Sequence, residues 1–181
     1  TVTDTIDTTA DTLNLQLTDV GVKATEKAGI ESLDASTYET INITANAIPT
    51  ALGGNGKNEI VGLTATVATD INVSGTGAFT TALTGTKVTS FDASGLAGAL
   101  TLTAGTEKAT YSMGGKSSTI VFGGNLNASD TVIGGAGTAD IVTATVTGLT
   151  ATTGALNTSD VEYVLLTTSG ANTLDLSGTT G

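Results

Sequence analysis

Two glycine-rich turns carry the residue types best suited to chemistry in this chain. One runs Gly53-Gly54-Asn55-Gly56-Lys57-Asn58-Glu59-Ile60-Val61, the other Gly134-Gly135-Ala136-Gly137-Thr138-Ala139-Asp140-Ile141-Val142. Both read Gly-Gly-x-Gly-x-x-acid-Ile-Val. Glycine admits positive φ and close backbone approach, so the carbonyls of such a turn can converge on one point. An acidic side chain beside them adds a hard, charged oxygen, and an aliphatic pair then opens a strand. An oxygen-only Ca²⁺ site in a tightly turning β-structure requires that donor set. The competing reading is a pair of plain tight turns whose acid caps a strand. Asp34, Asp92 and Asp175 form a second acidic series, as ligands or, by preference, as Asx-turn residues at the corners of a coil.

Other chemistries are excluded by composition. The 181 residues contain no His, no Cys and no Trp. All six basic residues are lysine. Ser-His-Asp and Cys-His nucleophiles, His- or Cys-ligated metals and bidentate Arg clamps are therefore absent. Seventeen acids against six lysines leave a net charge of −11. Such a surface repels nucleic acid and anionic lipid and attracts cations. No apolar run approaches the length of a membrane span. The chain opens on Thr with no signal-like stretch, as expected for a piece of a longer protein. Without disulfides, it must be held by packing or by metal.

The elements that position these turns read as short strands. Leu13-Asn14-Leu15-Gln16-Leu17, Ile41-Asn42-Ile43-Thr44, Leu100-Thr101-Leu102-Thr103 and Val142-Thr143-Ala144-Thr145-Val146 alternate aliphatic and polar residues. That period of two is the mark of a sheet with one buried face. Leu174-Asp175-Leu176 continues the pattern, and residues 22–33 offer a short helix. The 40 Thr and 24 Gly favour strand and turn over helix. Glu31-Ser32-Leu33-Asp34-Ala35-Ser36 returns as Thr89-Ser90-Phe91-Asp92-Ala93-Ser94, a degenerate recurrence at roughly 60 residues. The expected fold is one elongated all-β domain over residues 1–181, a parallel β-helix or irregular β-solenoid. A Greek-key β-sandwich is the alternative.

The glycine-rich turns resemble the calcium nonapeptide of RTX proteins, Gly-Gly-x-Gly-x-Asp-x-aliphatic-x. Both copies carry one extra residue before the acid, the first has Glu59 in place of Asp, and there is no tandem array. The wider order is similar to the repeat regions of type I-secreted bacterial surface-layer proteins. A degenerate calcium turn leads into a Thr/Ala-rich strand and then an acid-aliphatic step, as in residues 134–147 followed by Ser159-Asp160-Val161-Glu162-Tyr163-Val164-Leu165. The resemblance implies a Ca²⁺ shell from Asp140 with the carbonyls of Gly134, Gly135 and Gly137, completed by Asp130 from an adjacent rung. Glu59 with Gly53, Gly54 and Gly56 is the weaker counterpart. It implies an extracellular protein on a bacterial surface that packs with copies of itself into a lattice, stays loose for export and folds on meeting calcium. Large RTX adhesins share this vocabulary, and a spacer segment of one is the nearest rival. Any contact with cell-surface polysaccharide is expected through regions outside these residues.

A carbohydrate-active β-helix enzyme is a third reading. It would need two converging carboxyls, for which Asp160 with Glu162, or Asp4 with Asp7 and Asp11, are the candidates. Three Tyr and three Phe give little of the aromatic platform that sugars require. Solvated acids on an acidic surface are the favoured alternative, so no catalytic activity is expected. Thr-x-Thr segments at Thr64, Thr101 and Thr143 suggest an ice-binding ladder, but their long and unequal steps are those of a composition effect.

Overall fold

The computed structural model describes residues 10–20, 29–85, 87–127, 130–147, 156–169 and 180. Fourteen strands follow one another there: β1 Thr12–Thr18, β2 Ile30–Asp34, β3 Thr40–Asn46, β4 Lys57–Thr64, β5 Asp70–Gly75, β6 Ala78–Thr84 and β7 Ser90–Leu96. They continue as β8 Leu100–Thr103, β9 Thr110–Ser112, β10 Thr119–Gly123, β11 Thr131–Ile133, β12 Ile141–Thr147, β13 Asn157–Ser159 and β14 Tyr163–Ser169. A single 3₁₀ turn, Thr50–Leu52, interrupts them among the described residues.

Odd and even strands separate into two sheets. The first has the order β1-β3-β5-β7-β9-β11-β13, the second β14-β12-β10-β8-β6-β4-β2. Every ladder is parallel, from β1 with β3 to β12 with β14. Each coil thus gives one strand to each sheet, and the chain is an all-β parallel solenoid. The Greek-key alternative fails on this point, because its strands would pair antiparallel.

Alternation along each strand decides which residues face inward. In β3, Ile41, Ile43 and Ala45 are buried between half-exposed Thr40, Asn42, Thr44 and Asn46. Register then stacks like on like. Ile41 lies between Leu13 and Ile71, and the column continues through Phe91, Tyr111 and Val132. Opposite it, Ile60, Thr81, Leu102, Ile120 and Val142 form the column of the second sheet. Tyr111 and Phe122 meet edge to face across the core, with ring centroids 5.4 Å apart. Full burial of an aliphatic side chain contributes about 1.5–3 kcal/mol, so these two columns hold the sheets together without any Trp.

Thr81 is the exception in its column. Its hydroxyl is buried and has no hydrogen-bond partner. Thr81→Val should therefore stabilise the protein by about 1 kcal/mol, read as a melting temperature higher by about 2–4 °C. A lower melting temperature would refute that account of the core.

The coil is shorter than the sequence recurrence and uneven. Thr12, Thr40, Asp70, Ser90, Thr110, Thr131 and Asn157 are successive register partners, and the steps between them are unequal, longest at the N-terminal end. The two Asp-Ala-Ser segments do not superpose. Asp34 ends β2 in the second sheet, whereas Asp92 lies in β7 of the first, beside a register shift. The segment read as a short helix, residues 22–33, ends inside strand β2, Ile30–Asp34; residues 21–28 lie outside the described residues, as do Asp4, Asp7 and Asp175. The Thr-x-Thr segments at Thr101 and Thr143 do lie in one sheet, two strands apart. The position between Thr103 and Thr143 is held by Val121, so the ladder is broken.

Candidate functional site

Asp140 stands immediately before β12 and is fully buried. Its Oδ1 accepts the Ser118 N–H of the preceding coil at 2.7 Å, and its Oδ2 accepts the Gly135 N–H at 3.1 Å. Its own N–H donates to Glu162 Oε2 of the following coil at 2.6 Å. Both oxygens therefore serve backbone donors, one across coils and one across the turn. Gly137 leaves room for this, since a Cβ there would sit 2.8 Å from Asp140 Oδ1 and 2.7 Å from the Ser117 nitrogen.

Asp130 repeats the arrangement at the start of a strand in the other sheet. It is fully buried ahead of β11, with Oδ1 accepting the Ala109 N–H at 2.9 Å and Oδ2 the Asn127 N–H at 2.6 Å. Asp130 and Asp140 share no partner, and they open strands of different sheets. Each serves the turn ahead of its own strand.

At the first glycine-rich turn the carboxylate comes from elsewhere. Asp19 accepts the Asn55 N–H on both oxygens at 3.0 Å and the Gly56 N–H at 2.7 Å. It does so from a left-handed backbone, φ 56°, which Asp tolerates better than most residues. Glu59 points away from its own turn. It lies on β4 in register with Thr80, with its carboxyl against Gly29 of the neighbouring coil. Gly53 and Gly56 adopt φ of 85° and 69°, and Gly54 folds back so that its N–H reaches the Pro49 carbonyl at 3.3 Å.

Three further acids follow the same logic. Asp34 and Asp92 accept the N–H two residues on, from Ser36 at 3.0 Å and Ser94 at 2.9 Å, which makes both Asx turns. Glu39 accepts the Asp11 N–H of the preceding coil at 2.7 Å. Asp160 and Glu162 do not share a strand face, for they lie in the turn between β13 and β14, where Asp160 has φ 55°. Among the described residues, no three acids converge as a metal cluster would require.

The donors around Asp140 and Asp130 are N–H groups, which present positive ends where a cation would need oxygens. As placed, these residues do not fit a Ca²⁺ shell. They fit carboxylate staples that each join one coil to the coil before it. An N–H to carboxylate bond is worth about 1.5–3 kcal/mol, and two on one buried group fix a turn firmly.

Asp34 and Asp130 respond to pH in opposite senses. Hydrogen bonds from the Ser36 side chain and N–H lower the Asp34 pKa. Its contribution is present above the unfolded carboxylate range and is lost as pH falls through the folded value. Burial raises the Asp130 pKa, against the pull of the Ala109 and Asn127 N–H groups and the Lys108 charge. Its contribution is greatest below the unfolded value near about 3.9 and declines as pH rises through the folded one. Wild type should therefore gain stability over D130N as pH is lowered from about 7 towards 4. Melting curves in which that gap shrinks on acidification would contradict this assignment.

Among the described residues the surface includes two shallow grooves. One of about 360 Å³ is lined by Thr89, Lys108, Thr110, Thr131 and Asn157 beside the Asp130 corner. The other, about 350 Å³, lies on the outer face of the second sheet between Val121 and Gly123 of β10 and Leu165 and Thr167 of β14. The outer face of the first sheet carries an amide ladder instead, Asn72 to Asn42 to Asn14, each bond 2.9 Å. No family model, no curated protein and no solved structure matches the chain.

Proposed function

We propose that this chain is a structural element, a self-associating scaffold segment of a secreted bacterial surface layer. The observation that carries the reading is the employment of its acids. Asp19, Asp130, Asp140, Glu39 and Glu162 each accept a backbone N–H from another coil, so the groups that could do chemistry hold the stack together. A solenoid of this kind grows by adding coils, each contacting only its neighbours, and presents long regular faces. Such faces suit repeated packing of copies. The similarity of the glycine-rich turns to RTX repeats supports an extracellular setting on the bacterial envelope.

Calcium enters this proposal as a counter-ion to the net charge of −11, outside the two glycine-rich turns. Neutralising that charge should favour both the compact state and the approach of copies. The test is scattering and sedimentation at rising protein concentration, with millimolar calcium and with chelator. Growth of the particle with concentration is the expected result. A monomer at every concentration would reject self-assembly and favour the adhesin spacer, and equal behaviour in chelator would remove calcium from the proposal.

A further inference from the structure

The second sheet and one corner of the solenoid carry surfaces that complement each other. Residues 48–52 form a protruding loop around the 3₁₀ turn Thr50–Leu52, with Leu52 78% exposed and Ile48 36% exposed. The loop is stiff. Leu52 and Gly54 donate to the Pro49 carbonyl at 2.9 and 3.3 Å, Gly53 donates to Thr50 at 3.0 Å, and Asp19 clamps the following residues. A preformed apolar knob loses little entropy on docking.

The groove between β10 and β14 has the matching character. Its walls include Val121 and Leu165, the latter 54% exposed, and its floor is the small residues Thr143 and Ala144 of β12. A register shift between Val121 and Gly123 interrupts the β10–β12 ladder at the groove edge. At about 350 Å³ it is roomy enough for a leucine side chain. Neither the loop nor the groove lining contains a charged residue, in a chain with 17 acids. These are surfaces where two copies of net charge −11 can touch without opposing carboxylates.

One chain cannot satisfy both. The loop leads directly into β4, which β6 and β8 separate from β10 in the second sheet, a gap of about 14 Å at the usual strand spacing. We propose that residues 48–52 of one copy dock into the β10–β14 groove of the next, with Leu52 seated against Leu165 and Val121. The contact is heterologous, joining two different surfaces, and such contacts propagate into open arrays when their rotation does not close a ring. A loop tip buries far less than the ~800 Å² per partner of a stable dimer, so each joint is weak and the array depends on repetition. This inference rests on the self-assembly reading and names its joint.

The chain has no cysteine, which makes cross-linking clean. Copies carrying A51C, mixed with copies carrying T167C under mild oxidation, should link to one another. T167C homodimers as the dominant product would mean face-to-face pairing and would overturn the proposal. L52D and L165D, both at exposed sites, should each weaken association by about tenfold or more, the size expected for one buried leucine. Mixed together, they retain one intact loop and one intact groove, so they should form dimers that grow no further. If wild type assembles and both variants assemble equally well, this joint is wrong and self-assembly stands. If wild type itself stays monomeric, the self-assembly reading falls with it.

Discussion

Gly135→Ala is expected to abolish the stacking of the C-terminal coils. A Cβ at this position would fall on the Gly114 carbonyl oxygen of the neighbouring coil, with the Met113 carbonyl 3.1 Å away. The obstacle is backbone on both sides, and backbone in a hydrogen-bonded stack cannot move aside without breaking its ladder. Gly134 has the same difficulty against the Asp160 carbonyl. The loss should exceed about 3 kcal/mol, the range of severe overpacking, and leave little folded protein at 37 °C. Two controls isolate the cause. Gly53→Ala meets nothing within 4 Å but has φ 85°, so it should cost only the about 1–2 kcal/mol of a left-handed residue. Gly124→Ala meets nothing either and has no positive φ, and should be near neutral. Thermal melting by far-ultraviolet circular dichroism ranks the three, and G135A melting alongside G124A would contradict the coil contact.

Asp140→Ala is expected to be nearly as damaging, for a different reason. The substitution leaves the buried Ser118 N–H and the part-buried Gly135 N–H without their acceptor. The buried donor costs about 1–3 kcal/mol and the part-buried one less, so the total is about 2–4 kcal/mol. Asp140→Asn should fall between, since its amide keeps one acceptor but turns an NH₂ towards the other donor. Asp34→Ala, at an exposed Asx turn, should cost far less. The same melts run in calcium and in chelator separate a staple from a ligand. A staple gives equal losses in both. A loss confined to calcium-containing buffer would restore the metal to Asp140 and remove the staple.

The contrast between Asp140 and Asp34 also marks which features are local to the sequence. Strand positions are legible there because alternation is local: Ile41-Asn42-Ile43-Thr44 declares its buried face within four residues. The Asx turns at Asp34 and Asp92 are legible for the same reason, their donors standing two residues away. The partners of the buried acids are not. Asp140 meets Ser118 at a separation of 22 residues, and Asp19 meets Gly56 at 37. Coils of unequal length have no fixed period, so spacing does not show which residues share a corner. For that reason the Asp-Ala-Ser recurrence pairs segments that belong to opposite sheets.

The glycine-rich turns show the same division. Gly-Gly-x-Gly-x-x-acid correctly marks two places where the backbone turns sharply. It does not tell whether the carbonyls or the N–H groups of each turn face the carboxylate, because that depends on the neighbouring coil. At the first turn even the carboxylate is hidden, since Asp19 lies in another coil and Glu59 faces Gly29.

By itself, the sequence determined an all-β chain of short half-buried strands, acidic, free of His and Cys chemistry, with sharp turns at its glycines. Composition and period two are local properties, and they constrain secondary structure and surface charge directly. The sequence leaves the expected parallel solenoid beside a Greek-key alternative, and only the tertiary structure decided between them and showed that the buried acids bind backbone amides across coils. It also brought Val121, Thr143 and Leu165 together as an uncharged groove. The physical reason is common to all three. Each depends on register between segments far apart in the chain, and register is set by packing of whole coils and not by any one stretch of sequence.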